Sequence, residues 1–379
     1  EASMMKFIFW ANIYSPHLLP MVRRLAAQGH EVTMVVERVM SAQRIAMGWA
    51  EPDLGEVRGI VDPDSQAIRG LVRDASDDCI HIIAGVRFRR LGREAIKAIL
   101  ARKARLGILS ESADPRGFSG KLRRLKYIRE RFTLGRSFDF ILAMGETGTA
   151  WFRRSGYAPE RIFQSGYTVD SVPFVGQATS QEEGKGYRLL YVGQLISRKG
   201  VDTLLNACAS VDRDFRLDLV GSGCEEGNLK SLATSLGISQ KCVWHGSMPS
   251  NQVRNAMSAA DALALPSHHD GWGAVVNEAL MVGLPVICSK ECGASCLING
   301  ESMGAVFDAG NTAELARIFD LKMKVSAVER ASQRESVIEW STLISGESMA
   351  NYFIDLMDHI YSNASRATPP WRIAVASIS

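Results

Sequence analysis

Three charged residues in the second half of the chain, Lys199, Asp270 and Glu278, have the types and spacing to handle an anionic, hydroxyl-bearing ligand. Two of them lie in Pro266-Ser267-His268-His269-Asp270-Gly271-Trp272-Gly273-Ala274-Val275-Val276-Asn277-Glu278-Ala279, which is followed by Gly283-Leu284-Pro285-Val286. The pattern is a strand end, a glycine-bearing loop and a helix N-terminus, where unpaired backbone N–H groups and the helix dipole suit a diphosphate. Gly271, Gly273 and Ala274, around Trp272, let that backbone approach a ligand closely. Ionised carboxylates only accept hydrogen bonds, and vicinal hydroxyls donate two, so one of Asp270 and Glu278 can meet a sugar and the other a ribose. Glu278 is flanked by Val275, Val276, Ala279 and Leu280. A carboxylate there is expensive to bury unless something pairs with it, so a ligand accounts for it better than a solvated helix face.

Other chemistries fit less well. A dinucleotide site needs Gly-x-Gly-x-x-Gly directly after the first strand, but that turn is Ala11-Asn12-Ile13-Tyr14-Ser15. At Gly221-Ser222-Gly223 the third glycine falls on Gly227, where the fingerprint requires position 226, a glutamate. Those glycines suit either a ligand or tight packing. Two Asp-x-Asp triplets, Asp62-Pro63-Asp64 and Asp212-Arg213-Asp214, end no convincing strand and read as turn or surface acids. Cys288, Cys292 and Cys296 have no histidine at ligand spacing, and the odd total of seven cysteines without CxxC argues for buried thiols in a reducing compartment.

The segment as a whole resembles the donor site of glycosyltransferase family 4, retaining enzymes of GT-B fold. Tyr191-Val192-Gly193-Gln194-Leu195-Ile196-Ser197-Arg198-Lys199-Gly200-Val201-Asp202 is similar to that family's Gly-Arg-Leu…Lys-Gly stretch, Val220-Gly221-Ser222-Gly223 to its glycine loop, and His245-Gly246 to the strand end whose backbone meets the nucleobase. The resemblance covers residues 188 to about 310 in order and spacing, and is architectural over residues 5–170. This chain has Asp270 where the family's signature has glutamate, Gln194 where an arginine usually helps to bind the phosphates, and Ile83 where many relatives have a histidine touching the donor sugar. Arg198, beside Lys199, is the candidate replacement cation, with a solvated loop arginine as the alternative. His81 reads as a core or strand histidine.

The resemblance implies transfer of a hexose-type sugar from a UDP- or GDP-linked donor to a hydroxyl of a glycan or glycolipid acceptor, with retention and front-face attack, in bacterial surface polysaccharide synthesis. Lys199, Arg198, Asp270 and Glu278 are then the catalytic set. Gly193, Gln194, Gly221, Gly223, His245, Gly246, Gly271, Trp272, Gly273 and Ala274 surround the donor. Tyr14, Ser15, His17 and Arg87 are assigned to the acceptor side. No cofactor or metal is required, because Lys199 and helix amides can meet the phosphate charge. Two rivals use the same architecture: a non-hydrolysing sugar-nucleotide epimerase, active on donor alone, and an inactive sugar-nucleotide-binding subunit.

Positioning these residues takes two domains, for which 379 residues and 46% hydrophobic content suffice. Lys6 to Trp10 predicts a strand, Ser15-Pro16 opens a helix with Leu18, Val22, Leu25 and Ala26 on one face, Gly29 ends it, and Glu31 to Val36 is the next strand. Apolar runs at Cys79–Ala84, Leu106–Leu109 and Phe138–Ala143 continue a parallel sheet. Strands at Leu189–Val192, Leu217–Val220, Val243–His245, Ala262–Leu265 and Pro285–Cys288 alternate with helices closed by Gly237, opened by Pro249 and closed by Gly283. The expected architecture is α/β, two Rossmann-like doubly wound domains facing across a cleft. Residues 5–171 form the acceptor-binding domain, 172–186 a linker, 187–345 the nucleotide-sugar-binding domain, and 346–379 a helix and tail returning to the first domain.

Charge is segregated along the chain. Residues 87–136 hold sixteen basic residues against four acids, a local net of +12 in a chain whose total is +3, so the remainder carries −9. Leu122, Leu125, Ile128 and Phe132 recur at near-helical spacing among Lys121, Arg123, Arg124, Lys126 and Arg129, describing a basic amphipathic helix. The stripe alone is expected to pack on the domain core. The excess of charge points to an anionic membrane surface, and no aromatic interleaving favours nucleic acid. With no apolar run long enough to span a bilayer, a cytoplasmic protein held peripherally on the inner face of the membrane is expected.

Overall fold

A computed structural model describes residues 4–40, 51–85, 90–170 and 186–373. The chain forms two compact units, one of Glu1–Asp170 with Leu343–Ser379 and the other of Ser171–Thr342. The proposed linker falls outside the described residues except for Gly186.

Unit 1 is built on a parallel sheet of β1 (Lys6–Ile13), β2 (Glu31–Arg38), β3 (Arg58–Val61), β4 (Ile80–Ala84), β5 (Arg105–Ser110), β6 (Phe140–Met144) and β7 (Ile162–Ser165), in the order β3-β2-β1-β4-β5-β6-β7. Its central strands are buried on both faces, which is why they read as continuous apolar runs such as Phe-Ile-Leu-Ala-Met in β6. The helix after β1 begins later than Ser15-Pro16 suggested. The Ser15 carbonyl accepts from the amides of Leu18 and Leu19, closing a turn. The helix proper is Leu19–Ala27, with Pro20 in its first turn, and Gly29 follows at φ 90°. The helix Gly346–Ser362 returns to this unit and lies against Leu19–Ala27. Its Phe353 packs 5.3 Å from Phe7 and 5.9 Å from Phe9.

Unit 2 repeats the scheme with β8 (Tyr187–Val192), β9 (Phe215–Val220), β10 (Cys242–Gly246), β11 (Ala262–Leu265), β12 (Val286–Ser289) and β13 (Gly304–Phe307), ordered β10-β9-β8-β11-β12-β13. Val201, Leu204, Leu205 and Cys208 are all buried on the helix Val201–Ala209. In both sheets successive strands first build outward on one side and then on the other, so order reverses between β1 and β4 and between β8 and β11. Ligands of open α/β sheets bind beyond the carboxyl ends of the strands at such reversals.

Candidate active site at the reversal of the second sheet

Two loops leave the carboxyl ends of β8 and β11, and backbone contacts fasten them together. The His268 amide donates to the Arg198 carbonyl (2.9 Å), the Arg198 guanidinium donates to the His269 carbonyl (2.8 Å), and Lys199 forms an ion pair with Asp270. Gly200, at φ 64°, lets the first loop turn into its helix, and a Cβ there would stand 2.2 Å from the Pro266 carbonyl oxygen. Lys199 and Asp270 each keep only 13% of their side-chain surface exposed. The reversal is thus occupied by one ammonium and one carboxylate at the rim of the sheet. Arg198 spends part of its donor fork on the loop backbone.

Asp270 is held from behind. Its amide donates to the Glu291 carbonyl (2.9 Å), its carbonyl accepts from Gly293 (3.0 Å), and Trp272 accepts from the Ala294 amide (2.8 Å) and the Cys292 thiol (2.9 Å). Cys288 and Cys292 are buried, and the hydrogen bond from Cys288, together with burial, pushes the Cys292 thiol well above its ordinary range. These cysteines hold the loop. Gly273, at φ 88°, leaves no room for a side chain, since a Cβ would lie 2.7 Å from the Cys292 sulfur. The following helix, Val275–Met281, is two turns long, starts one residue after Ala274 and carries the half-buried Glu278.

Several expected donor residues are held by contacts within the chain itself. The Trp272 indole is in the core, 2% exposed, and donates to Asn277 (2.7 Å), so only its backbone is available to a ligand. Gly221 and Gly223 face the chain's own backbone. Cβ atoms there would come within 1.8 Å of the Gly193 carbonyl oxygen and 2.2 Å of that of Leu195. Gly193, Gly221 and Gly246 end three adjacent strands and bond in sequence, Gly193 N–H to Val220 and Gly221 N–H to Gly246. The Gln194 side chain is exposed, and the residue's backbone carbonyl accepts from the Tyr191 hydroxyl (2.8 Å).

Sequence reasoning missed Asp218. It is buried on β9 and bonds His245 (2.6 Å) and Arg216 (2.8 Å), with Arg188 at 3.5 Å. Burial pushes its carboxyl up, but the hydrogen bonds from Arg216 and His245 and the charge of Arg188 outweigh that and hold it below the usual range. Asp218 thereby fixes the ring at the end of β10. The signal was an acid inside the apolar run Leu217-Asp218-Leu219-Val220, which must have partners.

In unit 1 the β1 loop lies at the reversal of its own sheet. Tyr14 is buried, with its hydroxyl directed at Gly59 on β3, so it supports the loop rather than facing a ligand. Ser15 accepts from the His17 amide (3.3 Å), and the His17 carbonyl accepts from Thr168 (2.9 Å). Arg87 lies outside the described residues. Of the two acidic triplets, Asp64 caps the helix Ser65–Asp74, Asp62 pairs with Arg90 (2.5 Å), and Asp212 and Asp214 are exposed between a helix and β9.

His81 is wholly buried on β4, its Nδ1 accepting from the Trp10 indole at 3.2 Å, and Ile83 is 1% exposed. Burial, reinforced by Arg102, pushes the imidazole down to about 4. The unfolded chain therefore takes the proton first as pH falls. The contribution of the neutral ring is complete above about 6.5 and is lost between there and 4, on the order of 3 kcal/mol in all. The stability difference between wild type and H81N, measured by urea unfolding, should accordingly shrink by a few kcal/mol from pH 7 to pH 4.5. A difference independent of pH would mean that the ring titrates in the fold as it does in the unfolded chain.

Two parallel Rossmann-like units are the architecture of the GT-B fold, and in fold and in part of its sequence the chain is similar to glycosyltransferases. Residues 177–337 match the family described as Glycosyl transferases group 1. A GDP-mannose-dependent monoacylated alpha-(1-6)-phosphatidylinositol monomannoside mannosyltransferase of Corynebacterium glutamicum is 30% identical over 172 residues, 42% of this chain and 44% of that one. A putative colanic acid biosynthesis glycosyltransferase, WcaL, of Salmonella typhimurium is 25% identical over 55% of each. The chain thus spans about half the length of these curated relatives. The structure of Anabaena Alr3699/HepE in complex with UDP superposes with a TM-score of 0.70 over 94% of this chain and 100% of that one, at 17% identity.

Proposed function

We propose that this chain is a retaining hexosyltransferase of the family 4 type, moving a sugar from a UDP- or GDP-linked donor to a hydroxyl of a glycan or glycolipid in bacterial surface polysaccharide synthesis. The observation that carries the reading is the Lys199–Asp270 pair at the reversal between β8 and β11. Without ligand the two charges hold one another. A diphosphate entering beside them takes the ammonium as its counter-ion and leaves Asp270 to accept from sugar hydroxyls. Glu278 then serves the ribose, and the end of β10, with its ring fixed by Asp218, serves the base. As the glycosidic bond breaks, charge grows on the departing phosphate, where Lys199 and the loop amides oppose it. The leaving phosphate takes the proton of the acceptor hydroxyl, which attacks from the same face. Unit 1 supplies the acceptor site, with Ser15 and His17 at its own reversal, and the chain works as a peripheral protein on the inner face of the cytoplasmic membrane. The relatives' chemistry, GDP-mannose for one and colanic acid for another, and the UDP bound to the fold neighbour support this reading.

A thermal-shift panel of UDP, GDP, ADP and their sugars tests it. One nucleotide at a hundred times its dissociation constant should add roughly 2.7 kcal/mol. Glu278→Ala should lose most of that shift, whereas Asp270→Ala should lower turnover more than it weakens binding of the free nucleotide. Transfer should continue in excess EDTA, and NMR of the product should show the donor's own anomeric configuration. Stabilisation by no nucleotide, or wild-type transfer in both variants, overturns the assignment.

A further inference from the structure

The helix Gly117–Thr133 does not pack its apolar stripe on the core, as the sequence suggested. Of the stripe, Leu122 is 52% exposed, Leu125 63% and Phe132 69%, with Ile128 alone half-buried, and Phe118, 75% exposed, extends it. The four exposed positions, 118, 122, 125 and 132, follow one another at steps of four, three and seven residues and so share one face. Lys121, Lys126 and Arg129 are exposed beside them, and none of positions 118, 121, 122, 125, 126, 129 and 132 is acidic. The opposite face holds the helix to the unit. Tyr127 packs 5.2 Å from Trp151 and 5.8 Å from Phe152, and Gly120 lies so close to Pro115 that a Cβ would stand 2.1 Å from its carbonyl oxygen. Arg123 donates to the Asp114 carbonyl (3.0 Å) and Arg124 to the Arg154 carbonyl (3.3 Å). The half-buried Glu130, the one acid of the helix, sits 3.5 Å from Lys126. Arg123 and Arg124, two of the helix's six basic side chains, are therefore spent on backbone carbonyls of the unit, and Lys121, Lys126 and Arg129 alternate with leucine and phenylalanine on the outward face.

We infer that this face is a membrane-docking surface that inserts Phe118, Leu122, Leu125 and Phe132 among the acyl chains of an anionic leaflet while Lys121, Lys126 and Arg129 meet lipid phosphates. An interfacial helix needs an apolar face to enter the headgroup boundary and cations to hold it against negative lipid, and both are here on one rigid element. A second protein would have to cover an apolar stripe and match three cations with acids. A bilayer of anionic lipid supplies both along the whole helix. Among the described residues no helix is long and apolar enough to cross a membrane, so attachment by this helix is a matter of lying on the surface. The binding stands on the helix alone. Its purpose, delivery of a lipid-linked acceptor, rests on the transferase reading.

Co-sedimentation of the full chain with phosphatidylcholine vesicles, alone or mixed with phosphatidylglycerol, decides it. Wild type should pellet with the anionic vesicles, lose much of its affinity as salt rises, and keep a residual part that salt does not remove. K121Q/K126Q/R129Q should bind on the order of a hundredfold more weakly at low salt, roughly fivefold per charge. F118S/L122S/L125S should lose about tenfold or more at every salt concentration. Nucleotide-induced thermal shifts, measured on the same variants, show that each is folded. Failure of those shifts in wild type would count against the transferase reading and leave the docking face standing. Equal binding to both vesicle types, indifference to both variants, or self-association that vanishes in the apolar variant while vesicles go unbound would overturn the inference.

Discussion

Lys199→Ala is expected to lower turnover by about 10²-fold or more at saturating donor, because it removes a fixed charge from the place where negative charge develops. The loss should appear in kcat, since loop amides and Glu278 still bind the ground-state nucleotide. The same substitution strands the Asp270 carboxylate at 13% exposure, so it should also lower the melting temperature of unit 2. The double variant K199A/D270A separates the two effects. Removing both charges should restore part of the lost stability and none of the lost turnover. A pair that served only to fasten the β8 and β11 loops would regain activity along with stability. Turnover of K199A within about tenfold of wild type would remove the lysine from the mechanism.

Gly221→Ala is expected to destabilise the second unit by about 3 kcal/mol or more, at the upper end of what single substitutions do. Two effects combine: a backbone angle of φ 137° that side chains rarely adopt, and a Cβ 1.8 Å from the Gly193 carbonyl oxygen. The β8 and β9 loops would have to separate, carrying Leu195 and the Lys199 turn with them, so the nucleotide-induced shift should vanish as well. Gly227→Ala is the control. It lies in the first turn of the helix Glu226–Ser235, where an added Cβ would meet no atom within 4 Å, and should be neutral or stabilising by up to about 1 kcal/mol. Urea unfolding of both variants, with and without nucleotide, makes the comparison. Equal stability in the two would show that the loops tolerate separation.

The elements most legible in the sequence were the central ones. Strands such as β1, β6 and β9 are buried on both faces and announce themselves as apolar runs. The four-residue edge strands β3, β7 and β13 were missed: Arg58–Val61 is largely exposed and offers no such run, and the other two are too short to show a period. Lys199 and Asp270 could be singled out because charge and glycine stand together in an apolar setting, but their pairing could not, since 71 residues separate them. The side-chain directions of Trp272, Tyr14 and the stripe at Leu122 and Leu125 were equally hidden. Pattern says which residues share a helix face, whereas the rest of the unit decides whether that face is covered.

The return of the helix Gly346–Ser362 to unit 1 bears on how the chain is made. Unit 2, though later in sequence, is continuous and has all its parts once Thr342 has left the ribosome. Unit 1 is interrupted by unit 2: Phe7 and Phe9 on its first strand stay without Phe353 until the whole of unit 2 has been translated. Its apolar first strand must therefore outlast the synthesis of the entire second unit in an unfinished core, a state in which exposed apolar surface favours aggregation.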